Sequence, residues 1–234
     1  MAPLVSRSYA VLHRATLDIV QLMIRIVIAD DHSIVREGLK RVLEFADDIE
    51  IIGEAANGYE VLEWVQRGGF ELLLTDLSMP GYSGVSLIRR VRAEAPALAI
   101  LVLTMYGEEQ YAVRVIRAGA QGYLTKDGAG EKLVGAIRKV ASGLPYVTAE
   151  VAEQLAVNMF TPFDQVQHKQ LTDREFEVLV MLVNGRSITK VAEMLHLSVK
   201  TVSSHKTHIL QKLAMTSFSE LVQYAVTHHL ITRF

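Results

Sequence analysis

The stretch Leu72-Leu73-Leu74-Thr75-Asp76-Leu77-Ser78-Met79-Pro80-Gly81-Tyr82-Ser83-Gly84 decides the fold. An apolar run of strand length ends in one carboxylate, and a turn-forming Pro-Gly stretch follows. A strand covered on both faces reads as a continuous hydrophobic run, so Asp76 belongs at the C-terminal lip of a central parallel strand. Open α/β sheets place their chemistry at that lip. An aspartate there can also do no more than cap the following helix or turn, and this stretch alone leaves both readings open.

Working outward, strand and helix alternate five times. Strands are expected at Ile24–Ala29, Glu50–Ala55, Leu72–Thr75, Ile100–Thr104 and Gly122–Leu124. Helices are expected at Ser33–Phe45, Tyr59–Arg67, Val85–Glu94, Glu108–Ala118 and Gly130–Ser142. In the first helix Ile34, Val35, Leu39, Val42 and Leu43 suggest one buried stripe. Gly68-Gly69 and Ala118-Gly119 punctuate helix ends. The alternation implies a doubly wound, five-stranded parallel sheet of the flavodoxin-like kind, with helices on both faces.

This domain spans 24–143. Residues 1–23 read as an N-terminal extension, with Met23 directly ahead of the first strand as a candidate start and Val11 to Leu22 as a candidate short helix. Residues 144–170 form a linker with a short helix at Ala149–Met159 and an exposed connector over Thr161–Gln170. The segment 171–234 is all-α, with four helices. Thr172 and Glu175 make a capping box, and Leu171 can staple onto Phe176. Helices near Ser187–Leu195 and Val199–Leu213, joined by His196-Leu197-Ser198, have the helix-turn-helix layout, and a fourth covers Ser217–His228.

Composition bounds the chemistry. The 234 residues include no cysteine, which excludes disulfides, thiol catalysis and Cys-based zinc sites. The lack of cysteine fits a reducing cytoplasm, and no apolar run reaches the length of a membrane-spanning helix, so no membrane partner is expected. Net charge is −2, but 171–234 carries seven Lys and Arg against five Asp and Glu. The two ends therefore differ mildly in sign.

In a sheet of order 2-1-3-4-5, the first and third strands flank the switch point, which brings Asp30, Asp31 and Asp76 into one pocket. Three crowded carboxylates repel one another, and a hard divalent cation with oxygen ligands, Mg2+ above all, relieves them. Thr104 and Lys126 end the fourth and fifth strands on the same lip. A hydroxyl and an ammonium opposite the acids suit a phosphoryl group.

These residues resemble the receiver domain of two-component response regulators over Ile24 to Ser142: Asp30-Asp31, the Asp76-Leu77-Ser78-Met79-Pro80-Gly81 block, Thr104 and Lys126. The resemblance implies that Asp76 accepts phosphate from a sensor histidine kinase. It implies that Asp31 and Asp76 ligate Mg2+ directly, Asp30 through water, with the Ser78 carbonyl completing the site. Thr104 and Tyr123 would be the switch pair, drawing the Glu108–Ala118 helix between two packings. Asp127 stands where many receivers carry Pro. A phosphatase of the dehalogenase type is disfavoured, because the position two residues after Asp76 is Ser78 rather than an acid.

The tail resembles the LuxR-type module through Leu171-Thr172-Asp173-Arg174-Glu175, Val178-Leu179, Asn184-Gly185, Val191-Ala192, Leu197-Ser198, Lys200-Thr201-Val202, His205 and Ile209-Leu210-Lys212-Leu213. Together with a receiver this makes the NarL/FixJ class. Val202, Ile209 and Leu213 share a core face, leaving Lys200, Ser203, Ser204, Lys206, Thr207 and Lys212 to face DNA. Ser203 and Thr207 occupy positions where relatives often carry lysine. His205 is either packed or a DNA contact, and His228 and His229 read as exposed helix-end residues. The implied function is a non-enzymatic, phosphorylation-controlled transcription regulator that dimerises on promoter DNA, with RNA polymerase as a further candidate partner. The rival reading is a constitutive DNA binder whose receiver is only a scaffold.

Overall fold

The computed structural model describes residues 23–105, 109–160, 167–228 and 230–231. Residues 1–22 with the candidate helix, residues 161–166 of the expected connector, and His229 lie outside the described residues. Five strands, β1 (Ile24–Ala29), β2 (Ile49–Ala55), β3 (Leu72–Thr75), β4 (Ala99–Thr104) and β5 (Gly122–Thr125), pair in the order β2-β1-β3-β4-β5, all parallel. Five helices alternate with them: α1 (Ser33–Leu43), α2 (Gly58–Arg67), α3 (Gly84–Glu94), α4 (Glu109–Ala118) and α5 (Ala129–Ala141).

The period-two geometry of a strand sends successive side chains to opposite faces. Val27, Leu73, Ile100 and Val102 pack with α2, α3 and α4. Ile26, Ile28, Leu72, Leu74 and Leu101 pack with α1 and α5. Register then fixes what emerges at the top. Ala29 pairs with Thr75, so Asp30 and Asp76 leave neighbouring strands at the same height. Thr104 pairs with Thr125, which brings Lys126 up beside them.

One expectation about α1 fails. Ile34 is 82% exposed and Phe45, beyond the helix end, is 88% exposed. At about 100° per residue, Ile34 lies some 140° around the helix from Leu39, off the buried stripe that Leu39 and Leu43 define.

The linker is more ordered than a tether. The Tyr146 N–H donates to the Gln121 carbonyl and its own carbonyl accepts from the Tyr123 N–H, both at 2.9 Å, which lays it along the outer edge of β5. Helix α6 (Ala149–Phe160) packs on α4. A 3-10 turn at Gln167–Gln170 replaces the end of the expected exposed connector, and there His168 is buried. Its N–H and its ring both meet the Tyr224 hydroxyl at 3.0 Å, which accounts for the burial.

Helices α7 (Asp173–Val183), α8 (Ile188–Met194), α9 (Val199–Lys212) and α10 (Phe218–Thr227) form the C-terminal module. Each begins at a hydroxyl cap: Thr172, Ser187, Ser198 and Ser217 each accept a backbone N–H three residues on. The capping box on α7 is complete. His228, expected to be exposed, is half-buried with its ring 4.2 Å from that of Tyr224. The apolar interior of this module is continuous with the α2–α4 face of the sheet.

Candidate functional site

Asp30 and Asp76 are buried at the ends of β1 and β3. The Asp76 N–H continues the ladder onto the Ala29 carbonyl at 2.8 Å, and its Oδ1 accepts from Leu77 N–H at 2.6 Å. Asp30 Oδ1 accepts from His32 N–H at 2.9 Å. Neither bond caps a helix: α1 begins at His32 without a side-chain cap, and α3 begins at Ser83. Each uses one carboxylate oxygen, and the other faces the pocket. Lys126 Nζ donates to Asp30 Oδ2 at 2.5 Å and to Asp76 Oδ2 at 2.7 Å. The five strand-end residues thus split into a bridged pair of acids with its lysine, the third acid Asp31 at the rim, and buried Thr104 one strand away.

Burial pushes the Asp76 carboxyl above the ordinary range, although Lys126 and the Leu77 N–H pull it back. Burial draws the Lys126 ammonium down, but Asp76 and Asp30 outweigh it and hold it above its usual value. The lysine is therefore a fixed cation at pH 7. It balances one of the three acids, and the pocket retains a negative excess.

Asp31 Oδ1 is buried and accepts no hydrogen bond within the protein, although His32 Nδ1 approaches it at 2.8 Å. One oxygen each from Asp30 and Asp31 and a ring nitrogen of His32 lie within 4.8 Å of one another. Two carboxylates, one with an oxygen that accepts no hydrogen bond, beside one imidazole make a mostly oxygen donor set that fits a magnesium ion better than a soft metal; Asp76 stands outside this close cluster. Ser78, whose carbonyl the receiver resemblance implies as a further ligand, follows Asp76 by two residues on the same loop.

Two residues at the pocket were not singled out from the sequence. Arg36 Nη1 donates to the Asp30 carbonyl at 2.7 Å while its Nε holds Glu54 at 2.9 Å. It fixes the backbone that aims Asp30. His32 belongs to the rim, and its adjacency to two acids was the one available clue. Tyr123, buried on β5, pairs with Val102, two residues below Thr104 on β4.

On α9, Lys200, Ser204 and Thr207 are exposed, and Ser203 and Lys206 are half-buried. Val202 and Ile209 of α9, and Leu213 just past its end, are buried, as their spacing predicts. Ser204 Oγ and Thr207 Oγ1 donate back to the Lys200 and Ser203 carbonyls at 3.1 and 3.2 Å. Each hydroxyl keeps its acceptor lone pairs for an outside donor. Lys206 Nζ sits 4.8 Å from the Phe218 ring centre, a cation–π contact that holds it over the module's surface. Lys212 differs from the expected orientation. Its Nζ pairs with Glu175 Oε2 at 2.7 Å, tying the end of α9 to the capping box of α7. Burial of Glu175 is outweighed by Lys212 and the Thr172 N–H, which hold that carboxyl below its usual value. His205 is half-buried, and burial lowers its pKa.

The two modules touch through groups far apart in sequence. Arg114 on α4 is mostly buried, stacks 3.9 Å over Phe176, and donates to the His168 carbonyl at 2.9 Å and to Asp173 at 3.3 Å. Burial lowers its pKa to about 10. Tyr111 donates to Glu177 Oε1 at 2.7 Å, and Arg174 holds Oε2 at 2.6 Å. Burial raises the Glu177 carboxyl above its ordinary range. Gly84 lies against this pair: a Cβ there would stand 3.0 Å from the Tyr111 hydroxyl and 3.3 Å from Glu177 Oε1. Finally, the α8–α9 turn reaches the acidic lip. His196 Nε2 is 3.1 Å from Asp31 Oδ2, and Ser78 Oγ donates to the Met194 carbonyl.

A parallel sheet with three acids, a lysine and a hydroxyl at its C-terminal lip, joined to a helix-turn-helix module, defines a phosphorylation-type switch attached to a DNA reader. Residues 26–138 match the response regulator receiver domain family, and 169–225 match the luxR family of bacterial regulatory proteins. The chain belongs to the response regulators that combine the two, the NarL/FixJ class. It is 34% identical over 209 residues to the response regulator UvrY of Escherichia coli (strain K12), covering 89% of this chain and 96% of that one. It is 39% identical over 214 residues to the oxygen regulatory protein NreC of Staphylococcus carnosus, covering 88% and 99%. Among solved structures, RcsB from Salmonella enterica serovar Typhimurium, bound to the rprA promoter with a phosphomimetic, shares 29% identity at a TM-score of 0.59, covering 86% of this chain and 97% of that one. Among the described residues no helix is long and apolar enough to cross a membrane.

Proposed function

We propose that Asp76 is the phosphoacceptor of a cytoplasmic transcription regulator, charged by a sensor histidine kinase. The observation that carries this reading is the Lys126 ammonium bridging Asp30 and Asp76, with an orphaned Asp31 oxygen beside them. An Asp76 carboxylate oxygen attacks the phosphorus of a phosphohistidine in line. The phosphorus–nitrogen bond breaks and the imidazole leaves, taking its proton from solvent. Lys126 turns from Asp76 to the incoming phosphoryl oxygens, and the Thr104 hydroxyl donates to one of them. Asp31, Asp76 and the Ser78 carbonyl would hold a magnesium ion, with Asp30 acting through a water. Bound there, that ion supplies positive charge against the phosphoryl oxygens.

Phosphorylation adds about −2 of charge and new acceptors. Thr104 moves toward them, Tyr123 follows, and α4 repacks. Because α4 carries Tyr111 and Arg114, its repacking loosens the contact with α7 and frees the C-terminal module. Lys200, Ser203, Ser204, Lys206 and Thr207 then meet promoter DNA, with Lys212 contributing only where it leaves Glu175. Homodimerisation raises an affinity that one modestly charged module supplies weakly. The RcsB structures include two dimers bound to two parallel DNAs, which supports that step by likeness.

The test is Asp76→Asn, incubated with a small-molecule phosphodonor and magnesium, then followed by phosphate-affinity electrophoresis and promoter binding. Wild type gains phosphate and affinity, and the variant gains neither. A variant that still responded to the donor would place the acceptor elsewhere.

A further inference from the structure

We propose that the α8–α9 turn is a plug for the metal pocket, so that divalent-cation binding and docking of the DNA-binding module exclude each other. The proposal rests on the reading of Asp31 and Ser78 as metal ligands. The same short turn reaches both residues beside their ligand atoms: His196 Nε2 stands 3.1 Å from Asp31 Oδ2, and the Ser78 hydroxyl donates to the Met194 carbonyl, while Asp31 Oδ1 and the Ser78 carbonyl are the atoms a metal would use. Magnesium binds with several retained waters in a near-octahedral shell. Those waters need room at the lip, where the imidazole approaches Asp31 and the Met194 carbonyl approaches Ser78.

The turn is shaped for this contact. His196 has a positive φ of 52°, and the Leu197 N–H donates to the Ala192 carbonyl at 2.9 Å, which closes α8 in a left-handed cap. Glycine or asparagine is the usual residue there. A histidine in that position projects its ring from the end of α8 onto the receiver.

The same arrangement makes the effect reciprocal. Whatever holds the modules together lowers metal affinity, and metal lowers docking by the same factor. Contacts remote from the pocket, such as Tyr111 to Glu177, therefore act on metal binding through docking alone.

The test measures Mg2+ binding to the unphosphorylated full chain by titration calorimetry, with no phosphodonor. His196→Gly keeps the left-handed backbone and removes the ring. Tyr111→Phe breaks the remote contact without touching the pocket. Both variants should bind Mg2+ more tightly, by about fivefold or more, the lower end of ordinary coupling between sites. In wild type, spin labels at Lys132→Cys and Gln223→Cys, both exposed and in a chain with no other cysteine, should move apart as Mg2+ is added. Unchanged affinity in both variants would overturn the plug while leaving the metal pocket intact. Tightening in His196→Gly alone would reduce the effect to local electrostatics and overturn the coupling. Absence of Mg2+ binding in every form would remove the pocket reading, and the plug with it.

Discussion

Arg114 is the side chain on which closure of the two modules should depend most. In the closed form its guanidinium donates to the His168 carbonyl at 2.9 Å and reaches Asp173 at 3.3 Å, with its plane over Phe176. A hydrogen bond from a charged donor contributes about 1.5–3 kcal/mol, and a desolvated cation–π contact up to about 2. Burial of the guanidinium opposes both, as its lowered pKa of about 10 records. The net loss for Arg114→Ala should then be about 2–3 kcal/mol, the size expected of a buried interface anchor. At about 1.36 kcal/mol per factor of ten, the open-to-closed ratio rises roughly 30- to 160-fold. Small-angle X-ray scattering without phosphodonor reads this directly, as an expanded profile for the variant at equal receiver stability. Arg114→Lys, which keeps the charge but loses the planar fork, should fall between the two. If Arg114→Ala scattered as the wild type does, the contact would contribute nothing to closure and the energetic argument would fail.

Lys126→Ala leaves Asp30 and Asp76 without the cation they share, and removing one partner of a buried ion pair costs about 3–5 kcal/mol. Its receiver should melt well below wild type, with magnesium restoring much of the loss; a melt that ignored magnesium would deny the pocket its ion. Glu177 has a raised pKa when docked and an ordinary one when free, so docking takes up a proton. The proton's contribution to closure should be fully present below the ordinary carboxylate range and lost as pH rises through the raised value. Spin-label distances should show this trend in wild type, and Glu177→Gln should abolish it. Lys206→Ala should weaken promoter binding and flatten the slope of log affinity against log salt by about one unit, as loss of one phosphate contact does. An unchanged slope would take Lys206 off the DNA face.

The receiver pocket was legible in the sequence because it is local at each strand end. Asp30, Asp76, Thr104 and Lys126 each terminate an apolar run, and parallel register does the rest. The capping box of Thr172 and Glu175 was equally legible, since a cap is a short-range hydrogen bond. What escaped was long-range. Nothing near Arg114 announces that it will bond His168 and stack on Phe176, and nothing near His196 announces Asp31. His168 read as part of an exposed connector because its burial comes from Tyr224, 56 positions away. Ile34 was misplaced by one step of helical phase. Lys212 looked free on its helix face, but Glu175 spends one oxygen on the cap of its own helix and on this lysine.

The short pairing of Tyr146 with Gln121 and Tyr123 bears on how the molecule can be divided. An unpaired strand edge is a template for another chain. A receiver fragment ended at Gly143, where its last helix gives out, would bare the outer side of β5 to its own copies. One carried through Thr148 takes its edge guard with it, and the practical boundary between the halves falls after that guard.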